Sequence, residues 1–152
     1  ACVSVFDSEG GAPSDRSVVR TDLRMAERHP LRILLVEDNV VNQKVALGFL
    51  RRYGYQPDVA ANGLEAVGAV TRQTYDLILM DIQMPVMDGF AATREIRKMP
   101  DNKAFTPIIA LTANAYNEDV EACVACGMNA HLSKPIRKLE LFRAISKWTT
   151  VD

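Results

Sequence analysis

Little in this chain points to a covalent framework, a membrane or a nucleic acid. Three cysteines among 152 residues are too few, and odd in number, for a disulfide scaffold. No apolar run reaches the ~18 residues of a bilayer-spanning helix, and no signal-peptide pattern is present. Lysine and arginine total 18 against 19 acidic residues, a net charge of -1, and no basic block offers a footprint for nucleic-acid phosphates. Solenoid-type repeats are absent. These absences leave a soluble, cytoplasmic globular domain with no nucleic-acid or membrane contact as the expectation. Cys123-Val-Ala-Cys126 is formally a C-x-x-C pair, but no second ligand pair accompanies it, and the histidines are His29 and His131. Two small helix-facing thiols are the simpler reading.

What is present is apolar and regularly spaced. Hydrophobic residues make up 48% of the chain, enough to bury the core of one domain. Residues 1–29 contain Ser8-Glu-Gly-Gly-Ala-Pro-Ser-Asp15 and read as a flexible linker or tail, with a weak helical stretch at 22–28. Residues 30–152 form the domain, and alanine at position 1 suggests a fragment or processed chain. Residues 31–36, 58–60, 77–80, 107–111 and 130–132 read as strands. Between them, apolar residues recur at helical spacing: Val41, Val45 and Phe49; Leu64, Val67 and Val70; Ala92, Ile96 and Met99; Val120, Val124 and Gly127; Leu141, Ile145 and Trp148. Each set predicts the core-facing stripe of one helix. Gly54 and Gly127 suit helix C-termini, and Asn62 with Glu65 suits a capping box. Strict alternation of near-continuous apolar strands with helices predicts an α/β fold, a doubly wound (βα)5 domain with a parallel sheet.

Polar residues stand at the ends of four of these strands. Glu37 and Asp38 follow the first, Asp81 the third, Thr112 the fourth, and Ser133-Lys134 the fifth. Singly, each has an ordinary explanation as a helix cap or turn. Together they matter, because the fold brings every strand's carboxyl end to one edge, where ligands bind in open α/β sheets. Carboxylates gathered within a few ångströms repel unless a hard cation intervenes, and an oxygen-rich site suits Mg²⁺ or Mn²⁺. Asp38 and Asp81 are the expected direct ligands, Glu37 would hold a metal-bound water, and the Gln83 backbone carbonyl would complete the set. Asp81, with an ordinary carboxylate pKa, would be ionised at neutral pH and could act as a nucleophile without a general base. Lys134 and Thr112 would then serve as cation and hydrogen-bond donor to a transferred phosphoryl group.

Val36-Glu-Asp-Asn-Val-Val-Asn-Gln43, Leu79-Met-Asp-Ile-Gln-Met-Pro-Val-Met-Asp-Gly89, Ala110-Leu-Thr-Ala113 and His131-Leu-Ser-Lys-Pro135 together closely resemble the receiver domain of two-component response regulators, over about residues 31–148. The resemblance implies a flavodoxin-like fold with strand order 2-1-3-4-5 and a cis Lys134-Pro135 peptide. It also implies Asp81 as phosphoacceptor, Glu37 and Asp38 as the acidic metal pocket, Thr112 as switch hydroxyl and Lys134 as the family's lysine. Such domains catalyse their own aspartyl phosphorylation and dephosphorylation, taking phosphate from a histidine kinase or a histidine-phosphotransfer domain. The wording of the first two motifs looks most like receivers fused to hybrid sensor histidine kinases; a stand-alone single-domain regulator is the alternative. His131 stands where the family often has Tyr or Phe as a switch residue. A histidine packed at a strand end is the plain reading, and a pH-sensitive switch the sharper one.

Rival classes fare worse. A haloacid-dehalogenase-type phosphatase should carry a second aspartate two residues after its nucleophile, where Gln83 stands. A nucleotide-binding module needs a glycine-rich loop after the first strand, where Glu37-Asp-Asn-Val40 would repel phosphate. For partners, the sequence predicts that Val41, Val45 and Phe49 face the core. Val40, Lys44 and Leu47 would then lie on an outward face that, with Pro135 and Ile136, docks a helical phosphohistidine domain.

Overall fold

The computed structural model describes residues 30–113 and 117–149. Five strands, β1 (Ile33–Val36), β2 (Asp58–Ala60), β3 (Leu77–Asp81), β4 (Ile108–Thr112) and β5 (Ala130–Ser133), alternate with five helices. The helices are α1 (Val40–Arg52), α2 (Gly63–Arg72), α3 (Gly89–Arg97), α4 (Asn117–Cys126) and α5 (Lys138–Trp148), and a 3₁₀ segment, Asp101–Phe105, precedes β4. All pairings are parallel and the strand order is β2-β1-β3-β4-β5. The expected flavodoxin-like doubly wound architecture is therefore present. The Lys134-Pro135 peptide is cis.

Strand periodicity divides the core in two. Leu34, Val36, Ile78, Met80, Ile108 and Ala110 point to one face, covered by Ala66 and Val70 of α2, Ala92 and Ile96 of α3, and Cys123 of α4. Ile33, Leu35, Leu77, Leu79, Ile109 and Leu111 point to the other, covered by Ala46 and Leu50 of α1 and Leu141 and Ile145 of α5. Side-chain caps start the first three helices: Asn39 accepts from Asn42 N, Asn62 from Glu65 N, and Asp88 from Ala91 N. Gly54 and Gly127 end helices at φ 94° and 107°, where a Cβ would be strained.

Several expected stripes are corrected. In α1, Val41 is 68% exposed and Val45 40%, while Ala46 and Leu50 face the sheet. Leu47, expected to point outward, packs against the core instead. Leu64 and Val124 are likewise exposed, with Ala66, Ala69, Cys123 and Cys126 buried in their place. The reason is common to all: a helix comes nearest the sheet where its side chains are small, and weighting large apolar residues misplaces the seam. The two thiols are buried and free. The α2 capping box is altered too, since Glu65 Oε1 accepts from Ala61 N at 2.9 Å and not from the N-cap's own N–H. The possible helix at 22–28 and the tail at 1–29 lie outside the described residues.

Candidate functional site

The carboxyl edge of the sheet holds a cleft of about 380 Å³ lined by Glu37, Asp38, Asn39, Asn42, Asp81, Ile82, Gln83, Leu111, Thr112, Ala113 and Lys134. All the strand-end residues singled out from the sequence, Ser133 apart, thus line one cavity. β1 and β3 are neighbours in exact register, Val36 beside Met80, so the residues that follow them emerge side by side. The carboxylates of Glu37, Asp38 and Asp81 offer oxygens within 4.8 Å of one another. Asp38 is exposed, whereas Glu37 and Asp81 are buried.

Lys134 bridges the buried pair. Its Nζ donates to Asp81 Oδ1 at 2.8 Å and stands 3.0 Å from Glu37 Oε1. The second contact is an ion pair and not a well-directed hydrogen bond, so the buried Glu37 Oε1 accepts no hydrogen bond. The other oxygen, Oε2, accepts the Asn39 amide at 3.2 Å, and Gln43 Nε2 donates to the Glu37 carbonyl at 2.6 Å.

One cation does not balance two buried carboxylates. Burial pushes the Asp81 carboxyl up to about 7, with Glu37 adding to the rise and Lys134 opposing it. Burial also acts to raise Glu37, but Asp81, Lys134 and the Asn39 amide outweigh it and hold Glu37 below the usual carboxylate range. For Lys134, burial favours the neutral amine, yet the two carboxylates keep it above its ordinary value. Burial against Glu37 thus moves the Asp81 carboxyl well above the ordinary carboxylate range when no cation is bound. A hard divalent cation fits this site on two counts, a buried Glu37 oxygen that accepts no hydrogen bond and the surplus negative charge. Glu37, Asp38 and Asp81 would hold it, and it would supply charge neutralisation.

Thr112 is buried at the end of β4, with its carbonyl accepting Lys134 N at 2.8 Å. Gln83 reaches the cleft wall. Of the remaining residues expected to act here, Ile136 is buried and Pro135 exposed. His131 is exposed, not packed, because β5 turns Leu132 inward and its neighbours out. Val40 and Lys44 are exposed on α1.

Sequence reasoning missed the supporting frame. Asn39 and Asn42 line the cleft and Gln43 grips the Glu37 backbone; their three- and four-residue spacing at a helix start was the available signal. Gly89, which closes the motif after β3, is required by packing: a Cβ there would stand 2.2 Å from the Asp81 carbonyl oxygen.

A doubly wound flavodoxin-like domain with an acidic, lysine-bridged cleft at its carboxyl edge defines a class of α/β domain suited to cation and phosphate chemistry. Residues 33–146 match the response regulator receiver domain family. The chain belongs to that family, whose domains act in phosphorelay signalling. It is 48% identical over 120 residues to hybrid signal transduction histidine kinase B of Dictyostelium discoideum, covering 72% of this chain and 6% of that protein. The chain thus spans a small fraction of such relatives. The receiver domain of a Pseudomonas aeruginosa sensor histidine kinase, solved with magnesium in its active-site cleft, is 50% identical with a TM-score of 0.75, over 80% of this chain and 98% of that one. The receiver of Saccharomyces cerevisiae Ssk1, solved with the histidine phosphotransfer protein Ypd1, is 34% identical with a TM-score of 0.73, over 78% and 88%.

Proposed function

We propose that Asp81 accepts a phosphoryl group from a phosphohistidine in a Mg²⁺-dependent step, with Glu37, Asp38 and the Gln83 carbonyl completing the cation site. The observation that carries this reading is Lys134 Nζ at 2.8 Å from Asp81 Oδ1 and 3.0 Å from the buried Glu37 Oε1. A carboxylate oxygen of Asp81 attacks phosphorus in line with the imidazole nitrogen. The P–N bond breaks, the imidazole leaves with the bonding pair, and an acyl phosphate forms on Asp81. Mg²⁺ would supply neutralisation of the phosphoryl charge. Lys134 exchanges its carboxylate contact for a phosphoryl oxygen, and the Thr112 hydroxyl turns to donate to another, which gives the domain its two states. Water attack on the acyl phosphate reverses the state.

The donor is a histidine kinase's dimerisation helices or a histidine-phosphotransfer domain, as the complex of the related yeast receiver suggests. Exposed Val40 and Lys44, now joined by Val41 and Val45, offer it an α1 face beside Pro135. The likeness to a hybrid kinase supports residues 30–152 as the receiver of such a kinase working in the cytoplasm, with residues 1–29 as linker; a stand-alone regulator is the alternative. Gln83, in place of an acid, speaks against a phosphatase.

The test is labelling by a small phosphodonor such as acetyl phosphate, with and without excess chelator. The wild-type chain should be labelled only with Mg²⁺ present, and Asp81→Asn not at all. Labelling that survives either change would overturn the assignment.

A further inference from the structure

Three side-chain amides crowd the start of α1, and two of them are committed. Asn39 Oδ1 accepts Asn42 N at 3.0 Å and caps the helix, and Gln43 Nε2 donates to the Glu37 carbonyl at 2.6 Å. The third, the side-chain amide of Asn42, makes no hydrogen bond among the described residues. Yet Asn42 is half-buried and lines the cleft together with Asp38, Asp81 and Gln83. Helix geometry accounts for its place. Cα–Cβ bonds tilt toward the N-terminus of a helix, so a side chain in the first turn of α1 leans back over the end that follows β1 at the carboxyl edge of the sheet. Val41 and Val40, one and two residues earlier, are instead left in water. An amide is both donor and acceptor, and this one is free to serve a molecule in the cleft.

We propose that Asn42 is a positioning residue for hydrolysis: its amide holds the water that attacks the acyl phosphate of Asp81, and so sets how long the phosphorylated state lasts. The inference rests on the function proposed above. In that scheme Lys134, the Thr112 hydroxyl and the cation neutralise or hold the outer oxygens of the phosphoryl group, which leaves one direction from phosphorus unassigned, the one opposite the Asp81 oxygen. A water has to stand there to react. Its oxygen attacks phosphorus, the P–O bond to Asp81 breaks, the carboxylate leaves with the bonding pair, and a water proton passes to the inorganic phosphate released. An amide cannot take up that proton, so Asn42 contributes orientation, its Oδ1 accepting from the water. Of the polar side chains lining the cleft, those of Asn42 and Gln83 have no other task in the scheme. Gln83 is exposed and Asn42 half-buried, so Asn42 is the better fixed of the two.

In the experiment the chain is labelled with acetyl phosphate in Mg²⁺, freed of donor and followed as the label decays, for wild type, Asn42→Ala, Asn42→Leu and Asn42→Gln. Ala and Leu should lengthen the half-life about tenfold, the scale of one hydrogen bond made in the transition state. Their initial rate of labelling should stay within about twofold of wild type, because the donor's own leaving atom and not a water then stands opposite Asp81. Gln, which keeps the amide, should stay within about threefold of the wild-type half-life. Folding is read separately. The Asn39 cap uses the Asn42 backbone, which every variant keeps, and alanine is the better helix former, so Asn42→Ala should melt at or above the wild-type temperature. A wild-type half-life in Ala and Leu would overturn the proposal, as would equal half-lives in Leu and Gln or an equal slowing of labelling and decay. Failure of the underlying function shows differently, as no Asp81-dependent labelling by acetyl phosphate.

Discussion

Asp81 and Glu37 share one lysine, and this makes the cleft costly to the folded chain before it does anything. A carboxyl raised to about 7 in the native state binds its proton more tightly folded than unfolded, where it titrates near 4. Between those values the native state holds more protons, so stability falls as pH rises from about 4 to about 7 and levels off above. In chelator-buffered solution, denaturation midpoints should follow that slope, and Asp81→Asn should flatten it while raising stability at pH 7. A mutant as pH-sensitive as wild type would place the raised carboxyl elsewhere. The sign is opposite for Glu37, held below its usual range: its contribution is present at neutral pH and lost as the solution is acidified below the unfolded carboxylate range.

At the scale of elements, the cleft depends on two close approaches between segments. Gly89 opens α3 with its Cα against the Asp81 backbone, and a Cβ would come within 2.2 Å of that carbonyl. Gly48, in the middle of α1, has nothing within 4 Å of where a Cβ would lie. Gly89→Ala should therefore destabilise the domain by about 1–3 kcal/mol through overpacking and slow acetyl phosphate labelling. Gly48→Ala should stabilise it by up to about 1 kcal/mol through helix propensity. Urea titration of the pair decides, and equal effects would contradict the geometry. The contrast also shows what a sequence can carry. The strands were legible to within a residue or two because buried parallel strands are unbroken apolar runs, and Glu37, Asp38, Asp81, Thr112 and Lys134 because each follows such a run. The seams of α1 and α4 were not, because Ala46 and Cys123 are small and Val41 and Val124 large, and those helices approach the sheet on their small-residue side. The raised Asp81 carboxyl was not visible, since it arises from its burial beside Glu37, a residue distant in sequence.

Across the whole molecule, Arg97 joins what the sheet does not. Its guanidinium donates to the carbonyls of Gly127, Ala104 and Thr106 and to Asn129 Oδ1, tying α3 to the 3₁₀ segment and to the turns that enter β4 and β5. Burial lowers its pKa, yet removing the side chain would strand three carbonyls. Arg97→Ala should cost about 1.5–3 kcal/mol, the range for hydrogen bonds to a charged group, and melting curves should show it with the cleft residues untouched; a neutral substitution would mean that water replaces the clasp. The parallel topology has one more consequence. Arg32, just before β1, pairs through N with Asp76 Oδ2 before β3, at the edge opposite the cleft, and α5 runs back to that same edge after β5. Anything joined at either end of the fold therefore attaches behind it. A tether there leaves the mouth of the cleft open and acts only by setting how densely the cleft samples the space around a donor held on the same chain. That effective concentration falls roughly as the −3/2 power of tether length, so linker length alone could tune such a transfer without altering a single contact.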